Sequence, residues 1–292
     1  MNSILAVGLV TVDLIYYLNK LPNKGIKYFS KEQIMSTGGN ASNASIAISR
    51  LGGSVTFVST LGNDFFGNYI LKELKSENIN TNHIIVKNNL NTSNSCVTVD
   101  SKGERQIVNF RSKNLDFEDN QFIKENNFNA YLTDGRLEKA SIFILNEARR
   151  NNKPGILDAE NPVSEKAVEI ASHVAFSLQG LESFTNTSSV EKSLKIVKKL
   201  YNNFCCVTDG KNGVFFLEKD ELVQVKPPKI KAIDTLAAGD VWHGAFTLAI
   251  SLGTSLLNAC KFANLAASKK CRNLGGIKGS PYKFKNEFIE IK

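Results

Sequence analysis

From about residue 55 onward, short apolar runs rich in β-branched residues alternate with segments of helical period, and that alternation leaves few folds open. The runs 55–59, 129–133, 155–158, 174–177 and 204–208 read as strands. Between them helices are expected up to Leu74, over about 137–151, up to Ile170 and over about 189–201. Strands that alternate with helices build a mostly parallel sheet covered by helices on both faces. The chain ahead of this region opens with a nearly unbroken apolar run, 4–12, which reads as a first buried parallel strand. It would deliver Asp13 at the carboxyl edge of the sheet, where open α/β sheets gather their ligands; a solvated loop aspartate is the bland alternative. Near the end, 214–217 and 222–225 flank a tight turn and form a hairpin, and a small-residue helix follows near 256–271. A chain of 292 residues, 42% hydrophobic and 22% charged, can bury the core this needs. With no internal repeat or low-complexity linker, residues 1–292 read as one α/β domain.

Two stretches break the pattern. Residues 14–37 alternate weakly, carry Pro22 and Gly25 and show no helical period. Residues 95–111 hold two β-like runs around the turn Asp100-Ser101-Lys102-Gly103. Together they are expected to form a small sheet outside the main one, a lid that keeps water from a reaction below it.

Two helix starts are marked by small residues. Gly38-Gly39-Asn40 with Asn43 opens a helix that stops at Gly52-Gly53, and the two asparagines share one helical face. Their amides can both donate and accept, which suits the hydroxyls of a sugar; helix-start capping is the alternative. Asp234-Thr235-Leu236-Ala237-Ala238-Gly239-Asp240 runs into an apolar helix. Its unpaired N–H groups and the positive end of its dipole can hold an anion beside the Asp240 carboxylate. Phosphoryl transfer to a hydroxyl needs that combination, although a helix merely capped by Asp240 fits the same letters.

The remaining composition excludes more than it assigns. A formal net charge of +8 is spread along the chain without a basic, aromatic-interleaved block, so nucleic acid is not expected as a partner. Five cysteines without a C-x-x-C pair read as free thiols, and three scattered histidines form no metal cluster. No apolar run is long enough to span a membrane, and the expected location is cytoplasmic.

With both glycine motifs in place, and Thr208-Asp209-Gly210 and Gly213 between them, the chain resembles the ribokinase/pfkB family of ATP-dependent carbohydrate kinases over its whole length. The resemblance implies a ribokinase-like fold with ATP and Mg²⁺ as cofactors. It implies that Asp13, Gly39, Asn40 and Asn43 bind the sugar and that Asp240 is the general base; as a loose transition state needs its base only late, an aspartate of ordinary basicity is sufficient. Backbone N–H groups of Ala238, Gly239 and Asp240 would form the anion hole. Thr208, Gly210, Gly213 and Asn264 would line the nucleotide, and a homodimer would form through the lid. Two departures stand out. Ala237 replaces the family's usual glycine, a change activity is expected to survive. An Asn-x-x-Glu motif is missing, with Ser177-Leu178-Gln179-Gly180 in its place, which points toward ketose substrates. A narrower likeness, carried by Ile15-Tyr16-Tyr17, Leu21-Pro22 and residues 102–109, is to sulfofructose kinases. There Lys27, Asn109 and Arg136 would clasp the sulfonate of 6-deoxy-6-sulfofructose while the C1 hydroxyl is phosphorylated. Fructose, ribose or a nucleoside are alternative substrates, and a sugar- or nucleotide-binding regulatory protein is an alternative of another class.

Overall fold

The structure is a computed structural model that describes residues 2–118 and 120–290. Its strands, in chain order, are β1 (Ser3–Val7), β2 (Thr11–Tyr17), β3 (Glu32–Gly38), β4 (Ser54–Val58), β5 (Thr60–Gly62), β6 (Ile85–Lys87), β7 (Asn94–Val99), β8 (Arg105–Phe110), β9 (Ala130–Thr133), β10 (Gly155–Ala159), β11 (His173–Ser177), β12 (Phe204–Thr208), β13 (Val214–Glu218) and β14 (Glu221–Val225). The α-helices are α1 (Asn40–Arg50), α2 (Phe65–Ser76), α3 (Gln121–Glu125), α4 (Glu138–Arg150), α5 (Glu165–Ile170), α6 (Leu178–Thr185), α7 (Val190–Leu200), α8 (Ala238–Ser251) and α9 (Leu256–Lys270).

The main sheet has the order β14-β13-β12-β11-β10-β9-β1-β4, parallel from β12 to β4 with the antiparallel hairpin β13–β14 at one edge. Because side chains alternate along a strand, each central strand feeds two cores. Ile4 and Ala6 of β1 join the core under α1, α8 and α9, whereas Leu5 and Val7 join the one on the other face with α4. Ala175 and Cys206 repeat the first choice, and Val174, Phe176, Cys205 and Val207 pack on the opposite face with α5, α6 and α7. This two-faced burial is why these strands read as continuous apolar runs.

The first apolar run is not one strand. It bends at Gly8, where a Cβ would meet the Asp134 carboxylate at 2.4 Å, and the chain then enters a different sheet. Asp13 therefore sits on β2 of the small sheet rather than at the end of β1. An apolar run carries no mark of a sheet change when both halves are buried. The small sheet has the order β3-β2-β7-β8 and draws on both irregular stretches. Its register puts Ser36, Asp13, Ser95 and Asn109 in one cross-strand row, and Glu32, Tyr17, Val99 and Arg105 in another on the same face.

Candidate active site

Between the small sheet and the carboxyl edge of the main sheet lies a cavity of about 330 Å³. Asp13, Asn109 and Arg105 reach it from the small sheet, Gly39, Asn40 and Asn43 from the start of α1, and Ala238, Gly239 and Asp240 from the start of α8. Arg111, Arg136 and Glu160 complete its charged lining.

The start of α1 is held by an unforeseen carboxylate. Gly39, the residue before the helix, has φ 92° and offers no side-chain cap. Asp134, just past β9, is buried and accepts from Leu9 N at 2.9 Å, Ala41 N at 3.2 Å and Arg136 N at 3.0 Å. A negative group at a helix N-terminus complements the dipole, so Asp134 ties β1, β9 and α1 together. Asp134 and Arg136, two residues apart, thus divide their work, with the arginine alone lining the cavity.

Asn40 Nδ2 lies 3.2 Å from Asp158 Oδ2 and 3.2 Å from Glu160 Oε2, while Asn43 Nδ2 donates to Asp240 Oδ2 at 2.7 Å. The two asparagines thus orient carboxylates as well as facing the cavity. Asp240 is not of ordinary basicity. Burial, helped by nearby Asp158, pushes its pKa up to about 8, against the lowering effect of Asn43. Asp158 is also raised, by burial first and then by Glu160 and Asp134. His243 lies beneath: Nδ1 is 2.8 Å from Gly239 O and Nε2 is 3.4 Å from Asp158 Oδ1, and burial lowers its pKa. Asp13 is raised by burial too, partly offset by hydrogen bonds with Ser95 and Thr11.

The start of α8 differs from expectation in one donor. Ala238 N already donates to Thr235 O at 3.2 Å. The N–H groups of Gly239 and Asp240 donate to nothing among the described residues and remain for an anion. Ala237 precedes them at φ 63°, the left-handed region, where a Cβ costs about 1–2 kcal/mol. Ala237→Gly relieves that strain but enlarges the freedom of the unfolded chain. The net expectation is a gain of roughly 0.5–1 kcal/mol in urea unfolding. A loss of stability would show that the methyl group packs productively.

The positive charge comes from Arg136, one of the expected residues, and from two arginines the sequence did not single out. Lys27 lies exposed on the segment between β2 and β3 and does not line the cavity. Arg105, Arg111 and Arg136 do. Arg105 donates to Thr235 Oγ1 at 2.9 Å, and Arg136 pairs with Glu160 at 2.5 Å and donates to Asn161 O at 3.0 Å. Arg111 has neither a hydrogen bond nor an ion pair among the described residues; burial, then repulsion from Arg136, lowers its pKa.

A second, larger cavity of about 900 Å³ lies where the chain leaves β14, walled by Pro227, Pro228, Leu257 and Leu265 and edged by Lys226 and Lys261. None of the four expected nucleotide residues lines either cavity. Thr208 Oγ1 bonds Phe176 O at 3.3 Å, and Gly210 and Gly213 shape the β12–β13 turn. Asn264 is spent internally, accepting from Trp242 Nε1 at 2.9 Å and donating to Val225 O at 2.7 Å.

A pocket lined by carboxylates, amides and arginines, with free backbone donors beside the half-buried Asp240 carboxylate, suits phosphoryl transfer to an alcohol, and the comparisons agree. Residues 1–283 match the pfkB family of carbohydrate kinases, and the chain belongs to that family. It is 26% identical to a ribokinase of Staphylococcus aureus over 96% of this chain and 97% of that one. A ribokinase candidate from Agrobacterium tumefaciens superposes with TM-score 0.90 at 29% identity, covering 96% of this chain and 94% of its own. The Arabidopsis thaliana ribokinase complexed with ribose and ATP superposes with TM-score 0.83 at 21% identity, covering 96% of both chains. The protein is accordingly an ATP-dependent carbohydrate kinase with a ribokinase-like fold. No helix among the described residues is long and apolar enough to cross a membrane.

Proposed function

We propose that this kinase transfers the γ-phosphoryl group of ATP to the C1 hydroxyl of a ketose with an anionic group at its far end, 6-deoxy-6-sulfofructose being the best fit. The observation that carries the anionic end is Arg111, a guanidinium lining the sugar cavity that has no ion-pair partner among the described residues and is repelled by a second guanidinium, Arg136. A sulfonate between Arg111 and Arg136 relieves that repulsion and gains charge-assisted hydrogen bonds. Asp13, Gly39, Asn40, Asn43 and Asn109 position the sugar hydroxyls, and Asp240 takes the proton of the attacking hydroxyl. The free N–H groups of Gly239 and Asp240 stabilise the charge on the transferred group, which in a loose transition state matters more than early proton removal.

The proline-walled cavity suits the adenine base, with its lysines toward the phosphates. Mg²⁺ fits as a companion of the nucleotide, supplying charge neutralisation at the phosphates. Glu160 is already engaged by Asn40 and Arg136, and the described residues offer no cluster of three acidic or thiol ligands, so phosphates and water are its natural donors. A second copy of the chain would pair along β8, an edge strand exposed at every residue and carrying Val108 at 73% exposure. Light scattering of the purified protein should then give twice the mass of one chain.

The test is kcat/KM for sulfofructose, fructose, fructose 6-phosphate and ribose, measured side by side. Arg111→Ala and Arg136→Ala should each lower kcat/KM for sulfofructose by about 10- to 100-fold, from a lost charged hydrogen bond, and for fructose by only about threefold or less. Lys27→Ala, from an exposed position, should change neither. Equal losses on both sugars would rule out the anionic tail.

A further inference from the structure

Lys270, the last residue of α9, is fully buried with its side chain at 0% exposure. Such a charge is tolerated only when paired and hydrogen-bonded. Its Nζ lies 3.3 Å from Asp234 Oδ2 and donates to the main-chain oxygen of the same Asp234 at 2.9 Å, so both ends of one residue are held by one ammonium. Asp234 is itself a hub. Its Oδ1 accepts from Leu236 N at 2.8 Å, and its Oδ2 from Gly276 N at 3.0 Å and Tyr17 Oη at 3.3 Å. Tyr17 belongs to β2 of the small sheet, and its hydroxyl also accepts from Gly275 N at 3.0 Å. One residue further, Thr235 receives Arg105 from β8 of the same sheet. From this hub the chain passes Ala237 and becomes the phosphate-binding start of α8.

We propose that Lys270 is a positioning residue for phosphoryl transfer, a resident cation that fixes Asp234 and so holds both the anion-binding turn 235–240 and the small sheet in working register. It does not line the sugar cavity and touches no reacting atom. Its effect is transmitted through Asp234, since a small shift of the turn moves the Gly239 and Asp240 donors off the transferred group. Tyr17 carries the same hub to the sugar side. The two residues should therefore leave different kinetic signatures.

The test uses the full-length enzyme at 25 °C with whichever sugar it phosphorylates best, so its outcome is independent of the sulfofructose reading. Lys270→Ala should lower kcat by about 10- to 100-fold while the sugar KM moves by less than about threefold, the pattern of misplaced transition-state donors. Propylammonium replaces the atoms removed beyond Cβ and should restore part of kcat. Neutral 1-propanol, which fills the space without charge, should not. Tyr17→Phe removes one hydrogen bond and no charge, and should raise the sugar KM by about 3- to 10-fold with kcat within about twofold. Folded Lys270→Ala with near-wild-type kcat would overturn the proposal, as would equal rescue by propanol. Unchanged KM in Tyr17→Phe would remove the link to the small sheet.

Discussion

Asp240→Asn is expected to lower kcat by about a thousandfold, within the usual range for removing a positioned general base, while leaving the fold intact. The asparagine keeps the shape and can still accept from Asn43, so binding of sugar and nucleotide should change little. Turnover within tenfold of wild type would reject Asp240 as the base. The raised pKa adds a second signature. Asp240 must be ionised to accept a proton, and its carboxyl titrates near 8, so kcat/KM should climb as pH rises through about 8 and then level. A profile flat between pH 6 and 9 would assign the proton to another group. The linked effect on stability has the opposite sign. A carboxyl whose folded pKa lies above its unfolded value stabilises the fold most when protonated, and that contribution is lost as pH rises from the unfolded value through about 8. Asp240→Asn should therefore melt no lower than wild type at pH 7, and the margin should grow toward pH 9.

Gly39→Ala is expected to have the largest effect on the scaffold. At φ 92° and ψ 134° Gly39 occupies a region that L-residues avoid at a cost of roughly 1–3 kcal/mol. A Cβ there would also stand 2.5 Å from the main-chain oxygen of Leu9. Backbone cannot swing away like a side chain, so the start of α1 must move and take Asn40 and Asn43 with it. The expected result is a loss of about 3 kcal/mol or more in urea unfolding, together with a sugar KM raised about tenfold or more. Gly239→Ala is the control for stability, because nothing stands within 4 Å of its Cβ and its φ is ordinary. If Gly39→Ala unfolds like wild type, the close approach of α1 to Leu9 is not required by the fold.

Much of the architecture was legible in the chain because strand and helix periods are local properties. The parallel sheet, the glycine-opened helices and the irregular stretches that form the second sheet all follow from residue order. So did the meeting of Asn40, Asn43 and Asp240 at one cavity, since both motifs mark helix starts and helix starts collect at the carboxyl edge of such a sheet. The first strand misled because its apolar run continues across a change of sheet at Gly8. Four further findings depended on distant partners. Asp134 was not singled out in the chain and is spent on the start of α1. Asn264 looked available and is consumed by Trp242 and Val225. Lys27 looked like a sugar contact but is exposed and does not line the cavity, where Arg111 and Arg105 stand instead. Lys270 was likewise not singled out and is buried against Asp234.

The sequence by itself determined the fold class, the family and the carboxylate at the start of α8, because each rests on residue type and spacing along a single segment. Only the tertiary structure decided which charges line the cavity, which amides remain free and which way the Asp240 pKa moves. Burial and pairing are set by residues distant in the chain, from Arg111 and Arg136 to Asn43 and Asp240, and a pKa or an unpaired guanidinium exists only once those residues meet.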